Sequence, residues 1–191
     1  MTKRTFASIL CTVLCALLKA QSTLIINEVQ VANIDQYIDN SNNYGGWIEL
    51  YNPTNTAVDI SYWYISDDET DYKKTRFSSS IGEVPANGYK TIWFDHYTTD
   101  GNYGSGAATQ VRFKLDSDGG KLFICNKNLE LQCSVEYPSA VSRCSYARTT
   151  DGGDKWGWSG SPTPGGYKQR HDIRIFATRS AAGERCIVPF H

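Results

Sequence analysis

From residue 23 onward, short apolar runs alternate with polar breakers, and no long segment keeps the 3.6-residue apolar spacing of an amphipathic helix. Runs rich in β-branched and aromatic residues fall at 23–31 (TLIINEVQV), 47–52, 57–60, 62–66 and 73–77. They continue at 90–95 (KTIWFD), 111–115, 122–125, 130–137 and 143–149. Between them stand clusters such as Pro85-Ala86-Asn87-Gly88, Asp118-Gly119-Gly120 and Asp151-Gly152-Gly153-Asp154, whose residues suit tight turns. About ten short strands at this spacing predict a β-sandwich or barrel.

Side chains alternate faces along a strand. In GGWIELYNP this puts Ile48, Leu50 and Asn52 on one face, with the aliphatic pair suited to a core, and Trp47, Glu49 and Tyr51 on the other. In the first run Asn27 shares a face with Ile25 and Val29, while Glu28 shares one with Leu24 and Ile26. One polar side chain must then enter an apolar face whichever way the strand turns, and it needs a hydrogen-bond partner there. Glu28 and Glu49 have the residue type of an acid–base pair. No nucleophile, partner base or oxyanion feature accompanies them, so the expectation is a structural role, bonded to loops or a neighbouring strand. Tyr62-Trp63-Tyr64 sends Trp63 one way and both tyrosines the other, which leaves aromatic surface outside the core or under a loop. The candidate binding residues are therefore Trp47, Glu49, Tyr51, Tyr62 and Tyr64.

The ends of the chain read differently. Lys3 and Arg4 precede an apolar run at 6–18, followed by Ala20 as a small residue at a cleavage point, the pattern of a secretory signal peptide over 1–20. Its removal leaves 16 basic against 20 acidic residues, a net charge of −4, which disfavours nucleic acid as a partner. No other segment is apolar enough to cross a membrane, so the expected location is extracellular, cell-surface or periplasmic. The expected domain spans 21–167, and 168–191 is a basic tail without alternation. Cys125, Cys133, Cys144 and Cys186 remain after cleavage, in an oxidising compartment. A hairpin centred near Leu129 would set Cys125 opposite Cys133 as a candidate disulfide, one of three pairing schemes for four cysteines. The acidic runs at 67–71 and 116–120 are weighed as calcium loops and read instead as turns, because position twelve counted from Asp116 is Lys127 rather than a bidentate Glu. No metal or other cofactor and no enzymatic activity are expected, since none of the familiar catalytic motifs is present.

An ordered series of motifs carries a resemblance: LIINEVQVAN, GGWIELYNPT, YISDD, VPANGYKTIWFD, FKLDSDGGKLFI, SYARTTDGGDKWGW and PTPGG. The series resembles the lamin tail domain in its bacterial secreted form, over residues 23–166. The resemblance implies an all-β, immunoglobulin-like β-sandwich that serves as an attached module; with no catalytic motif present and aromatic rings able to stack on sugars or seat a protein, the expectation is a non-catalytic binding module for a protein or polysaccharide. In bacterial exported proteins such modules often accompany CotH-like kinase domains, nucleases or other hydrolases, and this chain resembles the N-terminal parts of larger proteins that carry a CotH-like domain. Two rival readings follow: a carbohydrate-binding surface module, or a truncated accessory fragment of a CotH-like protein, the latter prompted by the departure of residues 175–191 from the family pattern.

Overall fold

The apolar runs become antiparallel strands in a computed structural model that describes residues 24–39, 42–94, 111, 113–166 and 173–174. The first strands are β1 (Ile25–Gln30), β2 (Gly46–Tyr51), β3 (Val58–Asp59), β4 (Tyr64–Ser66), β5 (Thr75–Arg76) and β6 (Glu83–Val84). They are followed by β7 (Tyr89–Phe94), β8 (Gly119–Cys125), β9 (Leu131–Pro138), β10 (Ser145–Arg148), β11 (Trp156–Ser159) and β12 (Ile173–Arg174). A six-stranded sheet runs in the order β12-β11-β10-β1-β2-β7, a four-stranded sheet in the order β5-β4-β8-β9, and β3 pairs with β6. This is the expected all-β, immunoglobulin-like sandwich, with no helix among the described residues.

The two sheets bury one shared core. Leu24, Ile26, Val29, Ile48, Leu50, Ile92 and Phe94 come from the six-stranded sheet and the residue before it. Ile65, Leu122, Ile124, Val135 and Tyr137 come from the other. Full burial of each large aliphatic side chain stabilises the fold by about 1.5–3 kcal/mol relative to exposure. Trp63 points into this core; Tyr64 of β4 points away from it, and Tyr62 stands exposed in the turn before the strand. The face of β2 bearing Ile48 and Leu50 is likewise the inner one.

Several expectations are corrected. The described residues of 111–115 form no strand, although Val111 is buried and donates to the Trp93 carbonyl at 2.8 Å. The strands Glu83–Val84 and Trp156–Ser159 were not foreseen, the first being only two residues long and the second hidden by its central Gly157. Cys125 and Cys133 are free thiols. A bulge in β9 aligns Cys133 with Ile124 and Cys125 with Leu131. Cys133 therefore packs on the core side, where burial pushes its thiol up to about 12, while Cys125 lies on the opposite side of the sheet, itself buried. Cys144 is disulfide-bonded. The signal segment 1–20 lies outside the described residues, as does the tail apart from the two residues of β12, whose backbone pairs with Trp158 and Ser159.

Candidate functional site

The difficulty posed by Asn27 and Glu28 is resolved by a β-bulge. Ile26 pairs with Leu50 and Glu28 pairs with Glu49, so Asn27 is the extra residue and the register shifts there. Asn27 and Glu28 both leave the core face, while Ile26 and Val29 both keep it. The bulge interrupts the ladder, and Arg148 Nε donates to the Ile26 carbonyl at 2.9 Å while its guanidinium lies 4.6 Å over the Trp156 ring.

The outer face of the six-stranded sheet thereby carries Glu28, Gln30, Trp47 and Glu49, all fully buried. Two segments of the chain cover them. The arch between β1 and β2 lays Tyr37 edge-on against Trp47, with ring centroids 6.2 Å apart. The Gln30 amide bonds Gln36 at 2.6 Å and accepts from the Trp47 indole at 2.7 Å. The strap 161–166 crosses the carboxylates. Thr163 Oγ1 donates to Glu28 Oε2 at 3.0 Å, and Ser145 Oγ donates to Glu28 Oε1. The amides of Gly165 and Gly166 donate to Glu49 Oε2 at 2.7 and 3.1 Å. Tyr37 Oη fastens the strap by donating to the Pro162 carbonyl at 2.5 Å.

The PTPGG motif supplies this geometry directly. Thr163-Pro164-Gly165-Gly166 is a tight turn closed by Gly166 N to Thr163 O at 3.0 Å, with proline and then a glycine at φ 73° in its centre. Proline presets the first central position and glycine accepts the left-handed second one, which aims two successive N–H groups at one carboxylate oxygen. A Cβ at Gly165 would meet only Thr91 Oγ1 at 3.9 Å, so substitution there strains the backbone rather than the packing. Gly165→Ala is expected to lower the unfolding free energy by about 1–2 kcal/mol in urea titration.

Glu49 Oε1 accepts from Asn27 Nδ2 at 3.0 Å, and the same amide donates to Asp151 Oδ1 at 2.8 Å. Tyr89 Oη donates to the other Asp151 oxygen at 2.8 Å, and Gly152 N donates to Asn27 Oδ1 at 3.1 Å. Burial pushes the Glu49 carboxyl up to about 7, against the pull of its donors Asn27, Gly165 and Gly166, and the nearby Asp151 charge adds to the rise. Burial, then the bond to Asp151, raises the Tyr89 phenol. Both oxygens of Glu49 are engaged and the side chain has no exposed surface. The arrangement can hold a loop in place; it offers no path for a substrate to the carboxylate.

The five candidate binding residues divide accordingly. Trp47 and Glu49 are sealed, which corrects their reading as a binding surface: the chain's own strap and arch occupy the face they share. Tyr51 is half-buried and stacks on Tyr89 at 5.1 Å. Tyr62 and Tyr64 lie across the sandwich, on the outer face of the four-stranded sheet. There Tyr62 is 44% exposed and sits at φ 65°. The residues that sequence reasoning missed are Asn27 as a bulge, Asp151, Tyr89 and the strap donors. The only available signal was the PTPGG motif, whose partner lies more than a hundred positions upstream.

The acidic runs are occupied by local bonds. Asp67 pairs with Lys74 Nζ at 2.5 Å, Asp68 Oδ1 caps Thr70 at 2.8 Å, and Asp116 Oδ1 caps Asp118 N at 2.9 Å. Among the described residues no group of three or more His, Cys, Asp or Glu side chains could hold a metal ion. Among them also, no helix is long and apolar enough to cross a membrane.

The family profile described as Lamin Tail Domain matches residues 19–139. Comparison with curated proteins gave no match. Asn27, Glu28 and Glu49 fall inside the matched span, and their partners Ser145, Asp151, Thr163, Gly165 and Gly166 fall beyond it.

Proposed function

The chain belongs to the lamin tail domain family, and we propose that it works as a non-catalytic, exported attachment module that docks onto a protein through the outer face of its four-stranded sheet. The observation that carries this reading is the inequality of the two outer faces. One is closed by the arch and the strap. The other presents Tyr62, Tyr64 and Phe123 beside exposed Arg76 and Leu131. Tyrosine, arginine and large apolar side chains are the usual anchors of protein interfaces. The burial of Glu49 with every oxygen bonded supports the non-catalytic part, and the pattern of residues 1–20 supports export.

Site-specific photo-crosslinking tests the reading. A photoreactive phenylalanine analogue at Tyr64 or Phe123 is expected to give discrete adducts with an exported protein, and one at the exposed turn residue Asn55 to give none. Equal labelling from all three positions would sink the assignment of the face. Export itself is tested by fusing residues 1–40 to alkaline phosphatase, which is active only outside the cytoplasm; an inactive, intact fusion would remove that part of the reading.

A further inference from the structure

The register of the four-stranded sheet aligns one residue from each strand. Arg76 pairs with Tyr64, Tyr64 with Cys125, and Cys125 with Leu131, forming a single row on the outer face in which Cys125 is itself buried at 1% exposure, so a ligand meets the row at its ends and at Tyr64. Three inter-strand spacings make that row about 14 Å long. A cation stands at one end and an apolar side chain, 48% exposed, at the other. The Arg76 guanidinium lies 4.5 Å over the Tyr62 ring and makes no ion pair among the described residues.

Two backbone observations mark the same end of the sheet. Tyr62 at φ 65° and Leu129 at φ 64° both occupy the left-handed region, which bulky side chains avoid and glycine or asparagine fills without strain. Both are also among the exposed large hydrophobic residues, at 44% and 36%. Leu129 lies at the tip of the β8–β9 hairpin, where its N–H bonds the Asn126 carbonyl at 2.9 Å. Tyr64 pairs antiparallel with Cys125, which sets Tyr62 level with Lys127 of that tip, so the two turns are neighbours. The fold thus holds two bulky apolar side chains in solvent at positions where the backbone would favour neither. Strain of this kind gathers at ligand clamps.

We propose that this row binds an extended acidic peptide segment of another protein, with a carboxylate on Arg76 and an apolar side chain on Leu131 and Leu129; the inference rests on the docking face proposed above. Stacking on Tyr62 holds the guanidinium fork flat and pre-organised for a carboxylate. An extended chain advances about 3.4 Å per residue, so side chains four positions apart lie on one face at the length of the row. The segment therefore carries Asp or Glu and, four residues away, a large apolar side chain. The Arg76 guanidinium occupies one face of the Tyr62 ring, and Leu129 and Leu131 at the other end offer apolar contact rather than a ring face, which favours a peptide over a polysaccharide.

Random octapeptides displayed on phage and selected on the immobilised full chain test this, followed by fluorescence anisotropy of the synthetic winners. The expected winners pair an acidic with an apolar residue four positions apart. Their Kd is expected to rise at least tenfold with Arg76→Gln and with Tyr62→Gly, while Tyr62→Gly melts at or above the wild-type temperature because glycine relieves the turn. Winners without an acidic residue, or a Kd indifferent to Arg76→Gln, would overturn the proposal. So would a fall in melting temperature on Tyr62→Gly, which would make that ring structural. Failure of every peptide alongside Arg76-dependent binding of soluble polyuronate would overturn the choice of macromolecule. Crosslinks from Tyr64 that persist when the peptides fail would leave the docking face standing without this ligand; loss of both would remove both.

Discussion

Glu49→Ala is expected to lower the unfolding free energy by about 3 kcal/mol near pH 5.5, through a lost buried acceptor and the cavity left beneath the strap. The consequences of the deletion differ among the three donors. Asn27 Nδ2 keeps Asp151 as a partner, and Gly166 N keeps the Thr163 carbonyl. Gly165 N has no such second acceptor among the described residues, but Gly165 is exposed on the strap, so water can reach that amide and the loss comes chiefly from the vacated volume and the freed strap. The volume vacated by the side chain lies between Glu28, Thr91 and the strap, beside Trp47 on the same strand, where collapse is hindered by the rigid turn at 163–166. Chemical denaturation measures the loss, and red-shifted tryptophan fluorescence in the folded variant would report water reaching Trp47. Glu136→Ala is the control: its side chain is 77% exposed, and its change is expected within about 0.5 kcal/mol. A loss at Glu49 no larger than the control would mean that the carboxylate does not close this face.

The parts of the fold that sequence reveals are those governed by period and local turn chemistry. Ile48 and Leu50 alternate cleanly with Trp47 and Glu49, so β2 and its inner face are readable from six residues. Trp63 between two tyrosines is readable for the same reason. The bulge is not, because alternation assumes that no residue is inserted, and Asn27 with Glu28 gives a contradiction rather than a position. Burial of the outer face is not readable either. It depends on the strap meeting Glu49 across 116 residues, and nothing local to Trp-Ile-Glu distinguishes a covered face from a wet one. The candidate disulfide failed on the same kind of detail: one extra residue in β9 turns Cys125 and Cys133 to opposite sides of the sheet. Tyr62 was readable as outward-facing but not as left-handed, since the sequence offers a bulky aromatic where the backbone calls for glycine.

Stability is expected to fall as pH rises from about 4.5 to about 7.5, and Glu49 is the reason. Its folded carboxyl holds a proton up to about 7, whereas the unfolded chain releases it near 4.5. Between those values folding takes up a proton, so the unfolding free energy decreases with pH. The contribution is fully present below the unfolded value and is lost as pH passes through the folded one. A difference of that size corresponds to about 3 kcal/mol, undiminished by solvent because the side chain has no exposed surface. Asp151 works in the same direction through like charge, and the three donors work against it. Glu49→Gln isolates the effect from other groups, since glutamine mimics the neutral acid at every pH. The variant's stability relative to wild type is therefore expected to climb by about 3 kcal/mol across this range. The loss caused by Glu49→Ala should shrink over the same interval, because the ionised wild-type side chain is the less stable reference. Urea unfolding of the three proteins at half-unit pH steps measures both trends. A constant gap between wild type and Glu49→Gln would show that the strap's three donors, not burial, set the charge of this carboxylate.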